Sequence, residues 1–209
     1  MKVSQGFIDE LTRAEQHIAR RDPVLRPIVR RVGACALRPH NRHFEILIRS
    51  IISQQLSTKV ALTIGQRLKQ INTPARFPNA RDILAAEHAA LRAAGLSNQK
   101  VSYMKDLAER TASGAVDLKK LKRQSDDEVI EALISIKGIG VWTAHMFLMF
   151  ALGRLNVLPV GDFGIRKAIG QLYGFEKLPG PEDIEAIARN NRWHPYCSVA
   201  SWYLWRTLG

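Results

Sequence analysis

The stretch ISIKGIGVWTA at residues 134–144 sets two glycines one residue apart between two runs that both read as helix. Upstream, SDDE at residues 125–128 is a capping-box pattern that starts one helix, and Ile130, Leu133, Ile134 and Ile136 give that helix an apolar side. Downstream, Trp142, Ala144, Met146, Phe147, Leu148, Phe150 and Ala151 are apolar nearly all round, which predicts a buried second helix. Gly138 and Gly140 form the hairpin between the two. Lacking a Cβ, they leave the backbone N–H groups at the start of the second helix open to an anion such as a phosphate oxygen, which the helix dipole also favours. An ordinary tight turn between helices carries the same two glycines, so the pattern alone supports either reading.

The rest of the chain continues in short helical periods. Phe44, Leu47, Ile48, Ile51 and Ile52 fall at helical spacing, SQQLST interrupts them, and Val60, Ile64 and Leu68 resume the pattern, a helix–loop–helix. Further helices are predicted around 7–20, 23–36, 80–94, 98–113, 126–136, 141–152, 163–173, 181–190 and 196–207. No convincing alternating strand pattern occurs, so the predicted fold class is all-α. Breaks at residues 38–41 and 153–159 predict a central helical subdomain, 42–152, ending in the hairpin, and a second subdomain formed by the two ends, 1–41 with 153–209.

Thirty-one Lys and Arg against 19 Asp and Glu give a formal charge of +12 and a pI near 10.2, which points to nucleic acid as the leading partner. No apolar run approaches the roughly 20 residues of a membrane-spanning helix. The N-terminal MKVSQGFIDELTRAEQ lacks the apolar centre and cleavage site of a signal peptide, so an intracellular protein is expected, cytoplasmic and nucleoid-associated in a bacterium. Cys35 and Cys197 stand far apart and in no CxxC pattern, which supports neither a disulfide framework, a zinc site nor an iron–sulfur cluster. His40, His43, His145 and His194 show no close ligand spacing, so no catalytic metal is expected.

KGIGVWTA at 137–144, followed by LPVGDFGIRKAI at 158–169, resembles the helix-hairpin-helix and Gly/Pro-Asp signature of the DNA glycosylase superfamily named for those elements. With RSIISQQLS at 49–57 and SVASWYLWR at 198–206, the chain is similar to the alkylpurine branch, the 3-methyladenine DNA glycosylase II or AlkA-like enzymes. The resemblance implies two helical subdomains flanking a DNA-binding cleft, and a monomer that acts on double-stranded DNA without a catalytic cofactor. It makes Asp162 the catalytic carboxylate and assigns the carbonyls of Ile134, Ile136 and Ile139 to a structural Na+ or K+ bridging to a DNA phosphate. Lys137, Gly138, Ile139, Gly140 and Thr143 would meet the DNA backbone, and Lys137, where many members have proline, adds a positive charge near the phosphate. Gln54, Gln55, Leu56 and Ser57 would lie on the loop that reaches into the duplex, with Gln55 or Leu56 filling the gap left by an extruded nucleotide. The base pocket would include Trp142, Met146, Trp202 and Trp205, with Met146 standing where a related bacterial enzyme type has a pocket tyrosine.

The chemistry of these residue types supports that assignment and leaves alternatives beside it. An N-glycosidic bond breaks through an oxocarbenium-like sugar, which a fixed carboxylate stabilises; Asp162 is also placed simply to cap the helix that follows. Trp142 occupies the hairpin position where strand-cleaving glycosylases carry a lysine, so no Schiff base is expected; it can equally be a packed core residue. The indoles of Trp202 and Trp205 suit cationic methylated purines by cation–π attraction, although for Trp202 a core role is the better reading. Ser57 can also be a helix N-cap. Two other functions fit less of the pattern. The same scaffold can remove oxidised or deaminated bases, and a non-catalytic DNA-binding module would need Gly138 and Gly140 but not Asp162 or the aromatic residues.

Overall fold

A computed structural model describes residues 4–72 and 75–208, so the first three residues of the N-terminal stretch read above lie outside the described residues. All regular structure among the described residues is helical. In chain order the α-helices are α1 (Gln5–Arg21), α2 (Arg26–Val32), α3 (His43–Ser53), α4 (Thr58–Lys69), α5 (Ala80–Ala85) and α6 (His88–Ala93). They continue with α7 (Asn98–Ser113), α8 (Asp126–Ile134), α9 (Val141–Phe147), α10 (Phe163–Tyr173), α11 (Pro181–Asn190) and α12 (Cys197–Trp205). The chain divides into two compact units, residues 41–147 and residues 1–40 with 148–209.

The central unit is organised on α3, whose Leu47, Ile48, Ile51 and Ile52 are all buried and which packs on α4, α7 and α9. Ser97 caps α7 by accepting the N–H of Lys100, and Gly114 ends it in the left-handed conformation. The helix expected over 80–94 is two helices. Ala86 is extended, and Lys105 Nζ donates to the carbonyls of Leu84 and Ala86 that the break leaves over. On α8 and the turn after it the buried side is Val129, Leu133 and Ile136, spaced by four and three; Ile134 lies off that stripe and is exposed, contrary to its expected place on the apolar side. Nor is α9 buried all round, because Trp142 in its first turn is 50% exposed.

The terminal unit packs α12 against α1, α2 and α10 around Ile18, Leu25, Ile165, Ile169 and Tyr203. The helix expected over 23–36 ends at Val32, where Gly33 turns to φ 78° and the chain runs on without helix to bury Cys35 and Leu37. Asp22 is fully buried with both oxygens engaged: Oδ1 accepts the N–H groups of Val24 and Leu25, and Oδ2 accepts the Tyr173 hydroxyl and Trp193 Nε1. Such satisfaction is what a buried carboxylate requires. Burial first, and the bond to Asp22 second, push the Tyr173 phenol's pKa up.

The helix expected over 141–152 stops at Phe147 and passes into a π-helical turn, Leu148–Leu152. That turn belongs to the terminal unit, so the division falls at 147/148 and 40/41, against 152/153 and 41/42 from sequence. Two contacts account for the shift: His40 N donates to Ala151 O, and Phe150 stacks on Trp205.

Candidate functional site

Within the terminal unit, a turn closed by Asp162 N on Pro159 O delivers Asp162 to the N-cap of α10. Asp162 is 7% exposed. Its Oδ1 accepts the Ile165 N–H at 2.8 Å and Trp205 Nε1–H at 2.8 Å, so one oxygen caps the helix and also anchors an indole. A Cβ on Gly164 would lie 3.1 Å from both Asp162 Oδ1 and Trp205 Cδ1, which explains a glycine there: the indole reaches the carboxylate across it. Trp205 also stacks on Phe150, with ring centroids 5.9 Å apart and planes at 29°. Two turns back on α12, Ser198 fixes the incoming loop. Its N–H donates to Leu155 O and its hydroxyl to Arg154 O, and that hydroxyl accepts the N–H of Val157. The segment carrying Asp162 and the helix carrying Trp205 are thereby tied at both ends.

Within the central unit, the two hairpin glycines have different causes. Gly138 sits at φ +78°, and a Cβ there would lie 2.1 Å from the Tyr103 ring, so it is a glycine because of its own unit. Gly140 has no such φ and open space where a Cβ would be. The Lys137 N–H donates to Asp106 Oδ2 at 2.9 Å, an oxygen that also takes Arg110 Nε. A proline at 137 would have no N–H to give. Gln54 Nε2 donates to Gly138 O at 2.7 Å, tying the 54–57 loop to the hairpin. Beyond it Gln55 turns to φ 57°, Gln55 and Leu56 are exposed, and Ser57 caps α4 by accepting the Val60 N–H.

The model of the HhH-GPD superfamily base excision DNA repair proteins matches residues 48–193, a span that takes in the loop, the hairpin and Asp162. The chain belongs to the HhH-GPD superfamily. DNA-3-methyladenine glycosylase 1 of Schizosaccharomyces pombe is 35% identical to it, over 99% of this chain and 92% of that protein. A solved structure of an S. pombe 3-methyladenine DNA glycosylase in complex with abasic DNA superposes with a TM-score of 0.81 at 35% identity, covering 93% of this chain and 96% of the other. A DNA-3-methyladenine glycosidase from Bacillus halodurans gives a TM-score of 0.83 at 36% identity, covering 94% and 89%.

In this HhH-GPD chain the residues singled out by sequence fall into distinct settings. Trp205 is brought to Asp162, whereas Trp202 meets Tyr203 edge-on at 5.0 Å and carries the Arg206 guanidinium 5.7 Å over its ring. Its face therefore already has a cation from its own chain. Trp142 and Val141 are half-exposed in the first turn of α9, and Met146 is half-buried one turn on. Thr143, expected to meet DNA, is 5% exposed, which leaves its backbone N–H rather than its side chain for that contact. Gln54 is turned inward as a brace. Phe150, Gly164 and Ser198 were not legible as site residues: in sequence they are an aromatic in an apolar run, a glycine in a helix and a serine in a helix.

Proposed function

We propose that the protein is a monofunctional DNA glycosylase that acts as a monomer on double-stranded DNA, hydrolysing the N-glycosidic bond of alkylated purines such as 3-methyladenine and 7-methylguanine. The bonded pair Asp162–Trp205 carries this reading: a carboxylate held by two donors, beside an indole held by the same oxygen. A carboxylate fixed in advance stabilises the sugar cation without reorganising as the bond breaks. Alkylation at N3 or N7 gives the purine a positive charge, which suits an indole face and makes the base a good leaving group without a general acid. The bonding electron pair leaves with the purine and neutralises it, water adds its hydroxyl to C1′, and the remaining proton passes to Asp162 or solvent. An indole at 142 forms no Schiff base with the sugar, so the reaction ends at an abasic site.

The hairpin is the DNA-backbone contact in this reading. Open space at Gly140 and the N–H groups of the first turn of α9 suit a phosphate oxygen, and the net charge of +12 favours the approach. The carbonyls of Ile134, the last residue of α8, and of Ile136 and Ile139 beyond it are neutral oxygen donors at the negative end of that helix, a set suited to Na+ or K+. Ile136 O already accepts the Ile139 N–H at 3.1 Å and has a second lone pair for an ion. These carbonyls would hold such a cation, which would add positive charge toward the phosphate. The exposed Gln55 and Leu56 fill the space left by the extruded nucleotide. Duplex DNA carrying 3-methyladenine or 7-methylguanine tests the proposal: alkali-labile abasic sites are expected, with no strand breaks before alkali and no adduct trapped by borohydride. Absence of abasic sites contradicts glycosylase activity, and a trapped adduct contradicts its monofunctional character.

A further inference from the structure

One face of α7 lies beneath both parts of the central unit that the proposed function assigns to DNA. Lys100 Nζ, in the first turn of α7, donates to Ile52 O at 2.6 Å and to Gln54 O at 2.7 Å, the carbonyls at the end of α3 where the 54–57 loop begins. Helix-end carbonyls lack partners within their own helix, and an ammonium group satisfies them strongly. Three residues on, Tyr103 packs under Gly138 and accepts a hydrogen bond from Gln99; three further on, Asp106 takes the Lys137 N–H. The loop itself reaches across to the hairpin through Gln54 and Gly138 O.

We propose that Lys100 is a positioning residue for nucleotide extrusion: it holds the 54–57 loop in register with the hairpin from inside the unit, and its charge does not serve a DNA phosphate. The inference rests on the glycosylase reading for its consequence, though not for its geometry. Two carbonyls at 2.6 and 2.7 Å define the direction of the ammonium group, and burial pushes its pKa down, as withdrawal from water requires. Gln55 stands in the left-handed region, which a residue other than glycine holds only when its surroundings fix it; Lys100 on the preceding carbonyl and Gln54 on the hairpin supply that fixation. With the loop loosened, the wedge would enter the duplex less often while the phosphate contacts stayed in place.

The test compares Lys100→Met with the wild type in three measurements. Single-turnover release of 3-methyladenine from a fully paired duplex should slow about tenfold, whereas release of the same lesion opposite an abasic gap, where no pair is broken, should change less than about twofold. The slope of log K against log salt for abasic DNA should be unchanged, and amide exchange at residues 54–57 should quicken. A slope smaller by about 0.9 would make Lys100 a phosphate contact and overturn the proposal. Equal loss on both substrates, or unchanged exchange in the loop, would overturn it as well. Should the methionine variant not fold, Lys100→Arg, which keeps the charge and the donors, is held to the same pattern with a smaller duplex defect. A wild type that releases no methylated base would sink the glycosylase reading alone, since the salt slope and the exchange rates still decide where the Lys100 ammonium group acts.

Discussion

The Asp162 centre and the hairpin with its loop are built on opposite plans. Around Asp162 the polar groups face inward and meet one another: carboxylate to indole and to α10, Ser198 to three backbone groups, one ring stacked on the next. At the hairpin the inward bonds belong to backbone and bracing residues, while Gln55, Leu56, Val141 and Trp142 are left exposed and Gly140 open. A centre whose carboxylate is fixed in advance by donors of its own unit is suited to chemistry, which needs preorganisation. A surface that leaves large apolar side chains and helix N–H groups outward is suited to a partner. Substitutions at Asp162 should therefore act on rate, and substitutions on the outward face of the hairpin on binding.

The largest effect is expected at Asp162. Asp162→Asn keeps a helix cap but loses the charge, so base release should fall about 10²–10³-fold while affinity for abasic DNA changes less than about threefold; a parallel loss of binding would erase the distinction between the regions. Next come the two hairpin glycines. Gly138→Ala should destabilise the fold by about 2 kcal/mol or more, seen as a lower denaturation midpoint, because a left-handed residue gains a Cβ against Tyr103. Gly140→Asp should leave that midpoint near wild type and weaken binding to damaged and undamaged duplex alike, through a negative charge set against phosphate. Equal stability losses would show that both glycines answer to the fold alone. The smallest effect concerns Trp205→Phe, which keeps an aromatic face but removes the Nε1 donor to Asp162. A drop of about tenfold in single-turnover rate is expected with unchanged DNA affinity, and no drop would mean that the bond positions nothing.

How much of this was legible in sequence depends on whether the cause was local. The limits of α7, α10 and α11 fall where expected, because Ser97, Asp162 and Pro181 mark their starts and Gly114 and Gly174 end the first two. Asp162 itself was legible as cap and as catalytic candidate; Oδ1 forms the cap and also takes the Trp205 indole. The interruption at Ala86 was not, since its remedy comes from Lys105 on another helix. Phe150 reads as one more apolar residue until the π turn brings it onto Trp205, and the Gln54–Gly138 bond joins positions 84 apart. Gly138 and Gly140 look alike in sequence; the left-handed φ of Gly138 and the Tyr103 ring against it separate them.

If a carboxylate and an indole on one hydrogen bond select a cationic purine, competition between lesions will reveal it. Duplexes carrying 3-methyladenine, 7-methylguanine, uracil or 8-oxoguanine at the same position are offered together to the wild type and to Trp205→Ala, and released bases are counted under single turnover. The two methylated purines should leave first from the wild type, and Trp205→Ala should lose discrimination as well as rate, by up to the 0.5–2 kcal/mol, roughly 2- to 30-fold, of a cation–π contact. Faster release of uracil or 8-oxoguanine by the wild type would contradict the cationic-purine account, even with Asp162 still essential.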